Sequence, residues 1–240
     1  MVATQAPVQV RATQNTMEEF VTPWLHKYRQ SAAAIDLFNP EKVATLSPEQ
    51  RAFLAKAFYH VRGHFHDFLW FIGNRSTVAV KRLILENLEE EFGGDRSHEE
   101  FYYDFAASLG VDLDDEVVEQ TNHLPFIREY NYQHMHWLKT HDADARFAAF
   151  AAYERLDNPD YENLYQLGVA LELKGRSLVF FDVHRHVEHY EATTLLLNEI
   201  WQRNPEPVMA AFNFIGNHQL HIWQKLSDAV FSYEPQLQAA

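Results

Sequence analysis

The chain has 240 residues, 47% of them apolar, and its 18 phenylalanines, 11 tyrosines and 5 tryptophans supply ample material for one large buried core. Its formal charge of −14 argues against nucleic acid or an anionic membrane surface as partner, since each requires a basic face. There is no cysteine, which excludes disulfides, thiolate metal sites and cysteine nucleophiles, so any metal must be held by carboxylates and the 14 histidines.

No apolar run reaches the length of a membrane span, and no charged-then-apolar signal pattern opens the chain, so a cytoplasmic location is expected. Residues 1–16 are polar and aperiodic and read as a disordered lead-in, with one domain over 17–232 and a short tail over 233–240. A first helix is expected from about Met17 to Ile35, with Phe20, Trp24, Leu25 and Tyr28 on its apolar side. Ser47, Pro48 and Gln50 form a helix start, and the long aromatic helix after it carries His60, His64 and His66. A helix with Val80, Leu83, Ile84 and Leu88 at three- and four-residue steps then ends in Glu89, Glu90 and Glu91, where Gly93 and Gly94 break it. Ser97 and Glu100 have the spacing of a capping box, which places His98 in the first turn of the next helix.

Beyond Gly110 come a short acidic helix ended by Pro125, a helix over Phe126 to Lys139, and one starting at Asp142 that Asn158-Pro159 is expected to interrupt. Helices over Tyr161 to Leu173, Ser177 to about Arg203 and Val208 to Phe231 complete the chain. No segment alternates like a strand, so the fold class is all-α, with seven to nine helices.

Three places carry chemistry. Glu91 and His98 face each other across a glycine break, a carboxylate and an imidazole on two rigid elements, as in half of an iron, manganese or zinc site. Glu154 continues the stripe Phe147, Phe150, Ala151, so a buried carboxylate that needs a proton, a partner or a metal is expected there. The helix opening at Ser177 offers two triads at i, i+4, i+7 spacing: His184, Glu188, Glu191, or Asp182, His186, His189. Only one can face the core, and both fit an apolar stripe.

With Glu91, His98, Glu154 and the Phe180-Phe181 helix in place, the chain resembles the heme-oxygenase-like diiron oxidases and oxygenases. That group includes the chlamydial protein associating with death domains and, more distantly, the metal-free pyrroloquinoline quinone synthases and the TenA thiaminases. The segment EEEFGGDRSHEEFYYDFAASLG is the most specific part of the likeness. The resemblance implies a helical bundle of about seven core helices with an O2-activating site for two non-heme irons, one iron or manganese being the lesser variants. It also implies a small amine, amino acid, carboxylic acid or acyl metabolite as substrate, and a possible homodimer.

Carried over residue by residue, Glu91, His98 and Glu154 match the family's Glu, His, Glu. The closing His-x3-Asp-x2-His motif is met only loosely, by His184, Glu188 and Glu191, a register preferred because it keeps the spacing from Glu154. The family's extra glutamate on an earlier helix is missing, and His60 or His64 stands near its place. The alternative expectation is a metal-independent enzyme or small-molecule binder of the same fold. The thiaminase version is disfavoured, because its cysteine nucleophile does not exist here.

Overall fold

The computed structural model describes residues 16–235 except 94, 187 and 188. Most of the proposed lead-in, Gly94, Glu188 and residues 236–240 of the proposed tail therefore lie outside the described residues. Among those described there are no strands. The helices are α1 (Met17–Ala32), a 3-10 turn (Asp36–Phe38), α2 (Pro40–Val43), α3 (Pro48–Gly63), α4 (Phe65–Asn74), α5 (Val78–Phe92) and α6 (His98–Ser108). They continue as α7 (Asp114–Glu119), α8 (Pro125–Thr140), α9 (Ala143–Ala170), α10 (Arg176–His186), α11 (His189–Arg203) and α12 (Glu206–Phe231). Ten of them run to ten residues or more, and none is long and apolar enough to cross a membrane.

The start signals read in the sequence do their work. Ser47 and Ser97 each cap a helix reciprocally with Gln50 and Glu100, as does Thr16 with Glu19, a cap not singled out in the sequence, satisfying backbone donors that the first turn leaves free. The two longest helices, α9 and α12, pack on each other and form the spine. Against them lie α1, α3, α8, α10 and α11, with α6 on α10 and α5 on α4. Phe20, Trp24 and Tyr28 bury one face of α1, and Trp24 meets Phe212 of α12 edge-on with ring centroids 4.9 Å apart. Gly216 permits that approach, since a Cβ there would come within 2.9 Å of the rigid Trp24 indole.

Two joints differ from expectation. The long aromatic helix divides at Gly63 into α3 and α4. Conversely, α9 runs unbroken through Asn158-Pro159 for 28 residues. A proline inside a helix costs about 3 kcal/mol, because it lacks an N–H and crowds the preceding turn. Here the residues on both sides are tied down. Glu154 is held by Asn87 and His189, Asn158 donates to the Arg185 carbonyl at 3.1 Å, and Asp160 is held from two other helices. Tertiary contacts thus carry the helix across a residue that local propensity would make a stop.

Asp160 is the polar pin of the core. It accepts hydrogen bonds from Tyr28 of α1 at 2.7 Å and from Gln219 and Trp223 of α12 at 3.2 and 2.8 Å. Burial raises its pKa, the three donors oppose the rise, and the balance lies at about 7. A carboxyl raised above its unfolded value adds stability below the unfolded pKa of about 3.9, and loses it as pH climbs through the folded value. Stability should therefore fall between about pH 4 and pH 7, by on the order of 1 kcal/mol per unit from this group. Urea denaturation across that range should show a shallower decline in Asp160→Asn than in wild type; parallel profiles would count against the assignment.

Candidate metal centre

Four helices deliver side chains to a carboxylate on a fifth. On α5 the stripe Val80, Ile84, Leu88 continues to Glu91, which is 5% exposed. The helix then ends at Gly93, where a Cβ would lie 2.4 Å from the Glu89 carbonyl oxygen, so only glycine fits that exit. The Ser97 cap starts α6 and sets His98 at its first position, with Nδ1 donating to Glu91 Oε1 at 2.9 Å. His184 of α10 approaches the same oxygen through Nε2 at 3.6 Å. The other oxygen, Oε2, accepts from His66 Nε2 of α4 at 3.1 Å and from Arg62 Nη2 of α3 at 3.4 Å. Burial alone would raise Glu91, but neighbouring imidazoles, among them the donors His66 and His98, more than reverse this and hold it well below the usual carboxylate range.

Glu91, His98 and His184 are all buried and offer ligand atoms within 4.8 Å of one another. His184 is the informative member. Its Nδ1 donates to the Phe180 carbonyl at 2.6 Å, and burial lowers its pKa, so the ring is neutral with its one proton committed. Nε2 therefore turns a lone pair toward a carboxylate oxygen 3.6 Å away, beyond hydrogen-bond range. Two electron-rich atoms held face to face ask for a cation between them. Fixing the far ring nitrogen on a backbone carbonyl is also how ligating histidines are usually oriented. Tyr161 stacks on the His184 ring at 4.2 Å and 12°, limiting its rotation.

Glu154, as expected, is buried, but it faces a different set of partners. Asn87 Nδ2 donates to its Oε1 at 2.9 Å and His189 Nδ1 to its Oε2 at 3.0 Å. His189 Nε2 donates in turn to Glu90 Oε2 at 2.8 Å. With both nitrogens donating to carboxylates, His189 is an imidazolium. Burial works against that charge, but Glu154 and Glu90 prevail and raise its pKa to about 9.

Neither triad of the last ligand helix arrives as a unit. His184 joins Glu91 and His98, whereas Glu191 is exposed and Glu188 lies outside the described residues. Of the other register only His189 turns inward; Asp182 bonds Arg185 at 2.8 Å and His186 is exposed. His184 and His189 are five residues apart, which on an ideal helix is about 140° around the axis. Nor are His60 and His64 brought to this group. His60 is buried against Glu116 at 2.7 Å, and His64 pairs with Asp67 at 3.0 Å. The histidine that does reach Glu91 is His66, together with Arg62. Their four-residue spacing places both on one face across the α3–α4 joint, a signal present in the sequence.

Beside this group is a narrow cavity of about 40 Å³. Phe58, Phe65, Tyr153, Tyr161 and Trp223 form much of its wall, and Arg62, Glu91, Asp157 and His184 are its charged or ligating edge. Asp157 was not singled out by sequence, although Tyr153, Asp157 and Tyr161 recur at four-residue steps along α9. Burial, reinforced by the nearby Glu154 and Glu91 charges, raises its pKa well above the usual range.

Replacing Glu154 tests the His189 assignment. In Glu154→Gln the His189 pKa should drop from about 9 toward the ordinary imidazole value near 6.5, measured by NMR titration of its ring protons. An unchanged value would mean that Glu154 does not hold the proton.

Residues 51–206 match a family model described as an iron-containing redox enzyme, a span that contains every side chain of this centre. Among solved structures, a domain of unknown function with a heme oxygenase-like fold from Shewanella denitrificans OS217 superposes with a TM-score of 0.72. It is 17% identical and covers 95% of this chain and 100% of its own, a likeness that speaks to the fold alone. No curated protein matches the chain.

Proposed function

Since the chain belongs to the family of iron-containing redox enzymes, we propose that it is a non-heme iron oxidase or oxygenase that uses O2 on a small organic substrate. The observation that carries this reading is the buried Glu91, His98, His184 group, in which a neutral imidazole lone pair faces a carboxylate oxygen. Two histidines and one carboxylate on one side of a metal, with positions left open, is the donor set of O2-using non-heme iron sites. Bound there, iron would supply the reduction of O2 and the oxidation of the substrate.

The protein's own share is binding, orientation and exclusion of water. Glu91 would ligate through Oε1 while His66 and Arg62 hold Oε2, fixing the carboxylate plane. The Phe180 carbonyl keeps His184 in the tautomer that presents Nε2. Arg62 lies over the Tyr102 and Phe180 rings, with its guanidinium carbon 5.4 and 5.1 Å from their centroids, so its charge is held in place on the cavity side of Glu91. The aromatic walls give the substrate an apolar seat from which bulk water is displaced.

The geometry supports one iron better than two. Both oxygens of Glu154 are taken by Asn87 and His189, and Glu191 is exposed, so a second metal would first have to dismantle the His189 pair. Anaerobic loading with Fe(II) followed by metal analysis should give about one iron per chain. Glu91→Ala, His98→Ala and His184→Gln should each lose it, while His189→Ala retains it, with helicity checked by circular dichroism. If the three variants hold iron as wild type does, the centre is misplaced. A wild type that takes up no iron would favour the metal-independent reading instead.

A further inference from the structure

We propose that the acidic groove on the outer side of His98 is the loading site for the metal, where Glu86 and Glu89 hold a hydrated divalent cation before it passes to Glu91. The inference rests on the reading of Glu91, His98 and His184 as the metal centre, and it adds the route by which that centre is filled.

Four glutamates, Glu86, Glu89, Glu90 and Glu91, crowd the last two turns of α5, and no basic residue accompanies them in the last turn. This is the negative end of the helix dipole, and Glu86 and Glu90 stand one turn apart as like charges. Such a cluster works against the helix that carries it unless a cation comes to it. Glu91 turns inward to His98, and Glu90 accepts from His189 at 2.8 Å. Glu86 and Glu89 are exposed and, among the described residues, take part in no hydrogen bond or ion pair.

Exposed acids alone would say little; the groove they line gives them a direction. It measures about 410 Å³, is open to solvent, and has Glu90, Gly93, Arg96 and His98 as its other walls. His98 is 8% exposed, and its two nitrogens differ. Nδ1 donates inward to Glu91 at 2.9 Å, whereas Nε2 has no hydrogen-bond partner among the described residues. With Nδ1 turned to Glu91, the ring edge that lines the groove carries Nε2. The imidazole thus stands as a partition between the acids outside and the metal centre inside.

Arg96, the one cation on the groove wall, is neutralised by Asp104 at 2.7 Å and donates to the Glu100 carbonyl at 3.1 Å. The other approach to Glu91, through the narrow cavity, passes the Arg62 guanidinium and aromatic rings, a poor path for a hydrated cation. Ion and substrate would therefore reach the centre from different sides. Carboxylates on an open groove suit a cation that keeps its water, and the imidazole then offers a nitrogen donor that suits iron.

Stopped-flow absorbance with Co(II) on the full metal-free chain reads the rate of ligation, and metal analysis reads the final content. Glu86→Gln/Glu89→Gln should load at least about ten-fold more slowly than wild type at low salt, reach the same final content, and differ less at about 0.5 M salt. Glu41→Gln/Glu206→Gln, which removes the same charge from α2 and α12, should load at the wild-type rate. In His184→Gln, which disables the inner centre, Mn(II) should broaden the amide NMR signals of Glu86 and Glu89 before those of Glu41 and Glu206. Broadening no stronger at the groove would overturn the proposal, as would a groove variant that loads as fast as wild type or no slower than the control pair. So would a lower final content in the groove variant, which would make Glu86 or Glu89 a ligand of the centre. A wild type that takes up no Co(II) would count against the metal centre alone, because the Mn(II) signals are read with that centre disabled.

Discussion

A carboxylate taken out of water is the constraint around which this bundle is arranged. Moving a charged Glu91 to a site 5% exposed costs several kcal/mol even after relaxation, and a charge-assisted hydrogen bond returns roughly 1.5–3 kcal/mol. One donor is therefore too few. The chain supplies His98 and His66 as donors within 3.1 Å and Arg62 at 3.4 Å, with the His184 ring packed at 3.6 Å, and these side chains come from α6, α4, α3 and α10. Every one of those helices must sit in register for the charge to be tolerated, so the electrostatic demand of one side chain fixes the relative placement of five elements.

The second buried acid, Glu154, solves the same problem differently. It faces an imidazolium whose second nitrogen is claimed by Glu90, so charge is neutralised by a proton kept inside the pair. The two arrangements explain why neighbouring carboxylates differ so much in character. Glu91 sits beside imidazoles that could offer a lone pair to a metal, whereas Glu154 is already paired with a cation. The long α9 links them, presenting Glu154 on one side and Asp157 and Tyr161 toward the cavity.

Much of this was legible from residue order. The Glu91–His98 pairing followed from local rules that survive any tertiary context: a glycine exit, a capping box, and a stripe ending in an acid. The depth of Glu154 followed from its place after Phe147, Phe150 and Ala151. What failed were inferences about where helices run on and where they break. Reading Ser177 to Arg203 as one helix forced a choice between two triads, yet the structure draws His184 from one and His189 from the other. The proline at 159 was expected to end a helix, but anchoring on both flanks overrode its local cost. Arg62 and Asp157 escaped notice, and His66 was named but passed over for His60 and His64, because a polar residue on an aromatic helix has no sequence mark that separates an inward-facing group from a surface one. Their spacing was visible; the cavity that gives the spacing meaning was not.

The crowd of N–H groups around Glu91 also sets an order of events. Because the charge is compensated from within the chain, the bundle can close before any ion reaches it, unlike small domains that collapse only around their metal. A metal held here by His98 Nδ1 would take the place of the proton that nitrogen now shares with Glu91. Metal capture at this place would thus be an exchange of protons for a cation, driven forward in alkali and backward in acid.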